Sequence, residues 1–336
     1  MKLSIVISAY NVEAYIAKTL RSVLDQTEQR FELIVVNDGS NDGTLEVIQE
    51  TLRGNFQGEF KIISKKNGGV SDARNTGLLE SSGDYILFLD GDDYIADYLV
   101  KSIYSVLKNQ KPDVLCWGYD LVDERGLSLE KYFNKFEHIL EKMDGIKTLE
   151  KIFLSRTLWI CTGSAAFRKQ LLESCPLFYT VGCTNGEDQE FTIKALSKAS
   201  SVIFLNEVLA FYVQRKGSIS TSGHLNKFDA LDALKRACYY LEESHNAELI
   251  RIAALIKNQE LTENFFNILD SCMVDTEIGS LLDEIDKRYP ELIPGITKSL
   301  RSYSREKKKI WIKCVLYLIS PNLYANTVIL KRRISG

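Results

Sequence analysis

The stretch G-D-Y-I-L-F-L-D-G-D-D, residues 83–93, joins a short apolar run, Tyr85 to Leu89, to three carboxylates grouped around a glycine. A run of this length without Gly or Pro reads as a buried strand, and its abrupt polar end reads as the place where the chain leaves the core. Asp90, Asp92 and Asp93 repel one another at this spacing. A divalent cation relieves that repulsion, because carboxylate oxygens are its natural hard ligands. Mg²⁺ commonly takes only one or two protein carboxylates and completes its shell with waters and substrate phosphates, so D-x-D at a strand end suits a metal–diphosphate site. A solvated acidic turn is the competing reading, since Asp and Gly favour turns.

Upstream, the same pattern repeats. Leu3 to Ser8 is a β-branched apolar run followed by Ala9-Tyr10-Asn11, and Asn11 is read as the N-cap of a helix carrying Ile16, Leu20, Val23 and Leu24. Phe31 to Val36 is a second strand, ending in Asn37-Asp38-Gly39-Ser40, with Asp42 placed to cap the helix that follows. Phe60 to Ile63 is a third, followed by Asn67-Gly68-Gly69 and a helix through Ala73 and Leu78. Strands alternating with helices in this rhythm predict an α/β fold with a mostly parallel, Rossmann-like sheet flanked by helices. In such sheets ligands bind beyond the carboxyl ends of the strands. Tyr10, Asp38, residues 67–74 and residues 90–93 all follow strands, so four strand ends converge on one crevice. The turn after the first strand lacks G-x-G-x-x-G, which argues against a nicotinamide or flavin enzyme.

A chain of 336 residues with 45% apolar content can bury one large core or two smaller ones. The net charge of −3 argues against a nucleic-acid binder. That average hides an asymmetry: residues 301–336 carry nine Lys/Arg and one Glu, a net +8, so the preceding 300 residues carry −11. Seven cysteines without C-x-x-C spacing predict reduced thiols in a cytosolic protein. No apolar stretch is long enough for a signal peptide or a membrane span. The isolated histidines, His138, His224 and His245, lack the spacing of a zinc site.

At five places the sequence resembles the family 2 glycosyltransferases: S-I-V-I-S-A-Y-N-V-E-A-Y-I at 4–16, V-V-N-D-G-S-N-D-G-T at 35–44, G-G-V-S-D-A-R-N-T-G-L at 68–78, F-L-D-G-D-D at 88–93 and G-E-D-Q-E-F at 186–191. The resemblance implies an inverting enzyme of GT-A fold that uses a nucleotide sugar, with a helical C-terminal extension. It predicts a catalytic domain over residues 1–222, divided into a nucleotide-binding half (1–93) and an acceptor-binding half (94–222), and a helical region over 223–336.

Carried over residue by residue, the resemblance places Asp38 at the nucleotide base, flanked by Ala9 and Tyr10, with Arg74 near the nucleotide and Asp90 against the ribose. Asp92 becomes the direct ligand of Mg²⁺ or Mn²⁺, supported by Asp93. Asp188 becomes the base that takes the acceptor proton, with Glu187 as its neighbour; which of the pair does the chemistry stays open. A carboxylate is also favoured at a helix start by the dipole alone. The basic turn around Arg215, residues 214–220, is similar to the family's loop over the diphosphate, a plain surface turn being the alternative, and His224 lies just beyond it.

Acceptor recognition is assigned to Tyr94 to Cys183. There Asp113 to Tyr119 is read as an edge strand and Trp159 as a core residue, with sugar stacking as its alternative. The expected partners are a UDP-sugar donor and a glycan or lipid-linked acceptor of surface polysaccharide synthesis, with no nucleic acid. The tail, basic at Lys307-Lys308-Lys309 and Lys331-Arg332-Arg333 with Trp311 and Tyr317 between, suits either the inner face of the cell membrane or packing on the helical region. Pro321 prevents it from spanning a bilayer as one helix. A catalytically silent subunit that binds nucleotide sugar or glycan is the rival reading. The sugar, the linkage and the oligomeric state are not encoded in any motif.

Overall fold

A computed structural model describes residues 1–54, 58–215, 225–273, 278–303 and 307–335. The chain divides into two compact units, Met1–Arg215 and Lys216–Gly336. The first unit runs β1 (Leu3–Ala9), α1 (Ile16–Leu24), β2 (Phe31–Asn37), α2 (Thr44–Leu52), β3 (Glu59–Ser64), α3 (Val70–Glu80), β4 (Tyr85–Asp90), β5 (Tyr94–Ile95), α4 (Leu99–Leu107), β6 (Val114–Asp123), β7 (Ser128–Glu130), α5 (Gly145–Glu150), β8 (Ala165–Arg168), α6 (Lys169–Ser174), α7 (Glu187–Lys198) and β9 (Val202–Gln214).

Its strands form one mixed sheet in the order β3-β2-β1-β4-β8-β6-β9-β5, with β7 paired to β6. β1 lies between β2 and β4, parallel to both, and every residue of β1 and β2 is buried. That double-sided burial explains why these strands read as continuous apolar runs rather than alternating ones. β8 runs antiparallel to both β4 and β6, so two reversals restore the direction and β6 and β9 again run parallel to β4. The carboxyl ends of β1, β2, β4 and β9 therefore emerge along one edge of the sheet.

Local details correct some expectations. Asn11 does not cap α1; it has φ 50° and its Oδ1 accepts from the Asn41 N–H at 3.0 Å, tying the end of β1 to the turn after β2. The helix begins only at Ile16, after Tyr15. Asp42 does serve its helix start, accepting from the Thr44 N–H at 3.0 Å. β6 is an interior strand, paired with β8 on one side and β9 on the other, not an edge. Trp159 is half-buried, whereas Trp117 is the fully buried tryptophan, donating its Nε1–H to the Gly163 carbonyl at 3.0 Å. All seven cysteines are free.

The second unit is helical among its described residues: α8 (Asp229–Glu242), α9 (Ala247–Leu255), α10 (Leu261–Cys272), α11 (Ile278–Arg288), α12 (Leu292–Ser302), α13 (Lys308–Ile319) and α14 (Pro321–Ser335). Phe265 and Phe266 of α10 meet Tyr317 of α13 and Tyr324 of α14 with ring centroids 5.1–6.0 Å apart. Asp270 accepts from Lys313 at 2.7 Å and from the Tyr324 hydroxyl. One face of the basic tail is thus packed on its own unit. No described helix is long and apolar enough to cross a membrane.

At the amino end of the sheet, Glu32 is 4% exposed and accepts from the hydroxyl of Ser4, the backbone and hydroxyl of Ser82, and the Gly83 N–H. Burial pushes this carboxyl up, but the Ser4 and Ser82 hydrogen bonds outweigh it and hold it at about 2, below the ordinary 4.5. Its contribution to stability is therefore complete above pH 4.5 and lost as pH falls towards 2. Glu32→Gln is expected to cost about 2 kcal/mol at pH 7. Urea unfolding across pH 2–5 checks this, since the variant lacks the part of the acid destabilisation that Glu32 carries.

Candidate active site

The D-G-D turn packs tightly under β1. The Gly91 N–H donates to the Ser8 carbonyl at 2.9 Å, and a Cβ at Gly91 would lie 2.9 Å from that oxygen and 3.1 Å from Val12. Only glycine fits there, and that fit fixes where the flanking carboxylates point.

Arg74, on α3, is the centre of the site and is 2% exposed. Its Nη2 donates to Asp90 Oδ1 at 2.7 Å and its Nη1 to Glu187 Oε1 at 2.9 Å. The guanidinium lies over the Tyr179 ring at 5.0 Å, and its Nε is buried with no hydrogen-bond partner among the described residues. Ser8 Oγ adds a 3.1 Å bond to Asp90 Oδ1. Asn75, the next residue on α3, grips the Tyr179 backbone at both ends: its Nδ2 donates to the carbonyl at 2.9 Å and its Oδ1 accepts from the N–H at 2.8 Å.

Glu187 and Asp188 open α7, preceded by Gly186 at φ 81°, a left-handed conformation natural to glycine. Burial, partly opposed by Arg74 and reinforced by Asp188, pushes the Glu187 carboxyl up to about 7. Burial also raises Asp188, again against the pull of Arg74, and its Oδ1 accepts from the Gln189 N–H at 2.8 Å. The Arg74 guanidinium is held well above its ordinary range by Asp90 and Glu187, in spite of its burial, and stays cationic.

Asp92 keeps its side chain 20% exposed, and Arg215, just after β9, donates its Nε–H to Asp92 Oδ2 at 2.7 Å. The Arg215 guanidinium lies 5.2 Å from the centroid of the Tyr15 ring. Asp93, grouped with Asp92 in the sequence reading, turns inward: 5% exposed, it accepts from the Val213 N–H at 2.8 Å and braces β9. Burial and the two neighbouring carboxylates drive Asp93 well above the usual carboxylate range. No group of three or more His, Cys, Asp or Glu side chains among the described residues is arranged to hold a metal ion. The donor chemistry still fits an ion that takes one hard carboxylate, Asp92, and fills its other positions with diphosphate oxygens and water.

On the far side of β1, Asp38 is 2% exposed and both its oxygens are engaged. Oδ1 accepts from Lys65 Nζ at 2.9 Å and the Gly68 N–H at 3.0 Å, and Oδ2 accepts from the Gly69 N–H at 2.8 Å. Lys65 also pairs with Asp72. Ala9 is buried, its carbonyl accepting from the Asp38 N–H at 2.9 Å, whereas Tyr10 is 47% exposed.

The structure thus brings Arg74, Asp90 and Glu187 into direct contact, with Asp188 beside them, pairs Asp92 with Arg215, and sets Asp38 in a separate cluster with the 65–69 loop. Residues 216–220 of the basic turn and His224 lie outside the described residues. Asn75, Tyr15, Lys65 and Tyr179 were given no role in the sequence reading. Lys65 directly follows β3, at the strand-end position that drew attention to Asn67, so it was within reach. Tyr179 carried no local signal, because only the tertiary fold brings it beneath Arg74.

Comparison with known proteins fits this architecture. The family described as Glycosyl transferase family 2 matches residues 4–175, and the chain belongs to that family. Its fold is GT-A. The chain is 32% identical over 229 residues to the glycosyltransferase GlyA of Streptococcus pneumoniae, which covers 65% of this chain and 31% of that protein. It is 24% identical to the poly(ribitol-phosphate) beta-N-acetylglucosaminyltransferase TarS of Staphylococcus aureus over 91% of this chain and 54% of TarS. The chain therefore spans well under two thirds of the length of these relatives. The crystal structure of TarS 1–349 in complex with UDP-GlcNAc superposes with a TM-score of 0.73 at 21% identity, covering 100% of this chain and 93% of that one. The mannosyltransferase PcManGT of Pyrobaculum calidifontis, in complex with GDP-Man and Mn²⁺, gives a TM-score of 0.56 at 15% identity over 88% of this chain and 83% of that one.

Removing the Arg74 cation would leave Asp90 and Glu187 without their shared partner. Arg74→Met is expected to destabilise the protein by about 3 to 5 kcal/mol. Glu187→Gln, which leaves Arg74 paired with Asp90, is expected to cost less. Chemical unfolding of both variants checks the order.

Proposed function

We propose that this chain is an inverting glycosyltransferase that moves a hexose-type sugar from a nucleotide sugar, a UDP-sugar by preference, to a glycan or lipid-linked acceptor in surface polysaccharide synthesis. The observation that carries the reading is the Arg74 bridge. It joins Asp90, at the end of a strand of the parallel nucleotide-side sheet, to Glu187, beside the raised carboxyl of Asp188. The acids that this reading assigns to donor and acceptor share one buried cation, in a fold shared with a protein crystallised with UDP-GlcNAc.

In the proposed reaction the acceptor hydroxyl oxygen attacks the anomeric carbon from the face opposite the nucleoside diphosphate. The new C–O bond forms as the bond to the diphosphate oxygen breaks, and configuration inverts. Asp188 accepts the hydroxyl proton. Its burial suits this task, since a base works best with a pKa brought nearer the operating pH. Glu187 and Asp90 hold Arg74, which keeps the cluster from accumulating uncompensated negative charge. Asp92 would hold Mg²⁺ or Mn²⁺, which when bound supplies Lewis-acid stabilisation of the departing diphosphate. Arg215, now on Asp92, is placed to add charge-assisted hydrogen bonds to the leaving phosphates. Asp38, which also orders the Gly68-Gly69 loop, binds the nucleotide base in this reading, with Ala9 and the exposed Tyr10 flanking the ring.

The test separates turnover from binding. Asp188→Asn is expected to lower transfer by about 10² to 10⁴-fold with UDP affinity unchanged. Asp92→Asn is expected to abolish the Mn²⁺-dependent part of UDP binding seen by calorimetry. Metal-stimulated UDP binding with no product on any acceptor, in the wild type as in Asp188→Asn, would instead identify a silent binding subunit.

A further inference from the structure

The outer face of the C-terminal helix pair is not the face a soluble helix normally presents. Cys314 and Tyr317 of α13 and Tyr324 of α14 are buried, at 1%, 6% and 1% exposure. The opposite side should then be polar, as in an ordinary amphipathic helix. Instead α13 exposes Ile312 at 50% and Ile319 at 67%, and α14 exposes Leu323 at 43% and Leu330 at 60%. Each pair is seven residues apart and so shares one helix stripe. Both helices are therefore apolar on two sides, one satisfied within the unit and the other turned to solvent.

Charge selects what can cover the second side. From Lys307 to Gly336 the sequence holds seven Lys/Arg and no Asp or Glu, and two of these cations, Lys307 and Lys313, are paired with Glu263 and Asp270 of α10. Lys308 and Lys309 are exposed at the start of α13, Lys308 on the Ile312 stripe, and Lys331 is exposed on α14, next to Leu330. A second copy docking through this face would oppose like charges. An aliphatic stripe with exposed lysines beside it and no carboxylate on its own helices matches a surface that is apolar at depth and anionic at its boundary.

We propose that the exposed stripes of α13 and α14 dock on an anionic phospholipid bilayer, lying in its interface rather than crossing it. Ile312, Ile319, Leu323 and Leu330 enter the acyl boundary while Lys308 and Lys309 meet the headgroups, the division of labour of interfacial helices. The stripes share no residue with the transfer site, so the proposal can fail while the proposed chemistry stands, and the reverse.

Flotation of the full chain with phosphatidylcholine vesicles, with and without phosphatidylglycerol, tests it. The wild type is expected to float with the phosphatidylglycerol vesicles alone and to be released as salt rises. Lys308→Ala with Lys309→Ala is expected to weaken binding about 25-fold, about fivefold for each lysine near the surface. Ile312→Glu with Ile319→Glu is expected to abolish flotation while the far-ultraviolet circular dichroism spectrum and UDP affinity stay at wild-type values, since both positions are solvent-facing. Three results would overturn the proposal: no flotation with phosphatidylglycerol vesicles, equal flotation of the double glutamate variant, or vesicle-free self-association that this variant removes. The last would assign the face to a second copy of the chain.

Discussion

A single buried guanidinium, Arg74, sets the terms for the first unit. Moving an arginine and its carboxylates out of water carries a desolvation penalty of several kcal/mol per ion, and only close geometry with further hydrogen bonds offsets it. Here Asp90 and Glu187 each approach within 2.9 Å, and an aromatic ring covers another face of the cation. Asp90 ends β4, while Glu187 begins α7, 113 residues after Arg74. The ion pairs thus make the end of one strand and the start of a distant helix conditional on each other. A site assembled from such remote pieces needs a constraint of this kind, and apolar packing, which is non-directional, would not fix the angle between them.

The sheet supplies the rest of the positioning. Because β8 reverses direction between β4 and β6, the end of β9 lies on the same edge as the end of β4. That is why Arg215 can reach Asp92, and why Asp93 can accept from the backbone of Val213. The three acids of the D-G-D-D run consequently do three different things. Asp90 faces Arg74, Asp92 is partly exposed and pairs with Arg215, and Asp93 holds the neighbouring strand.

Much of this was legible in the sequence where a local rule governs. β1, β2 and β4 announced themselves as apolar runs that stop at polar turns, and the acids after β2 and β4 stand at those ends by that pattern alone. What was not legible depends on tertiary neighbours. The segment Asp113 to Tyr119 looked like an edge strand because it leads into a polar loop around Asp123-Glu124-Arg125-Gly126, yet the neighbours of β6 are strands from much later in the chain. Asn11 has the right chemistry for a cap, but the backbone between it and Ile16 is not helical, so its side chain serves the turn after β2 instead. The resemblance separated Asp92 as ligand from Asp93 as its support, but a D-D pair gives no local indication that Asp93 turns inward to the backbone of Val213.

Asn75 gives the arrangement a further meaning. Arg74 and Asn75 are consecutive, and both act on Tyr179, one over its ring and the other on its backbone. The aromatic floor beneath the guanidinium is therefore clamped by the same helical turn that carries the charge. Folding alone brings cation and floor into register, so this corner of the unit is fixed by the chain itself before any partner arrives.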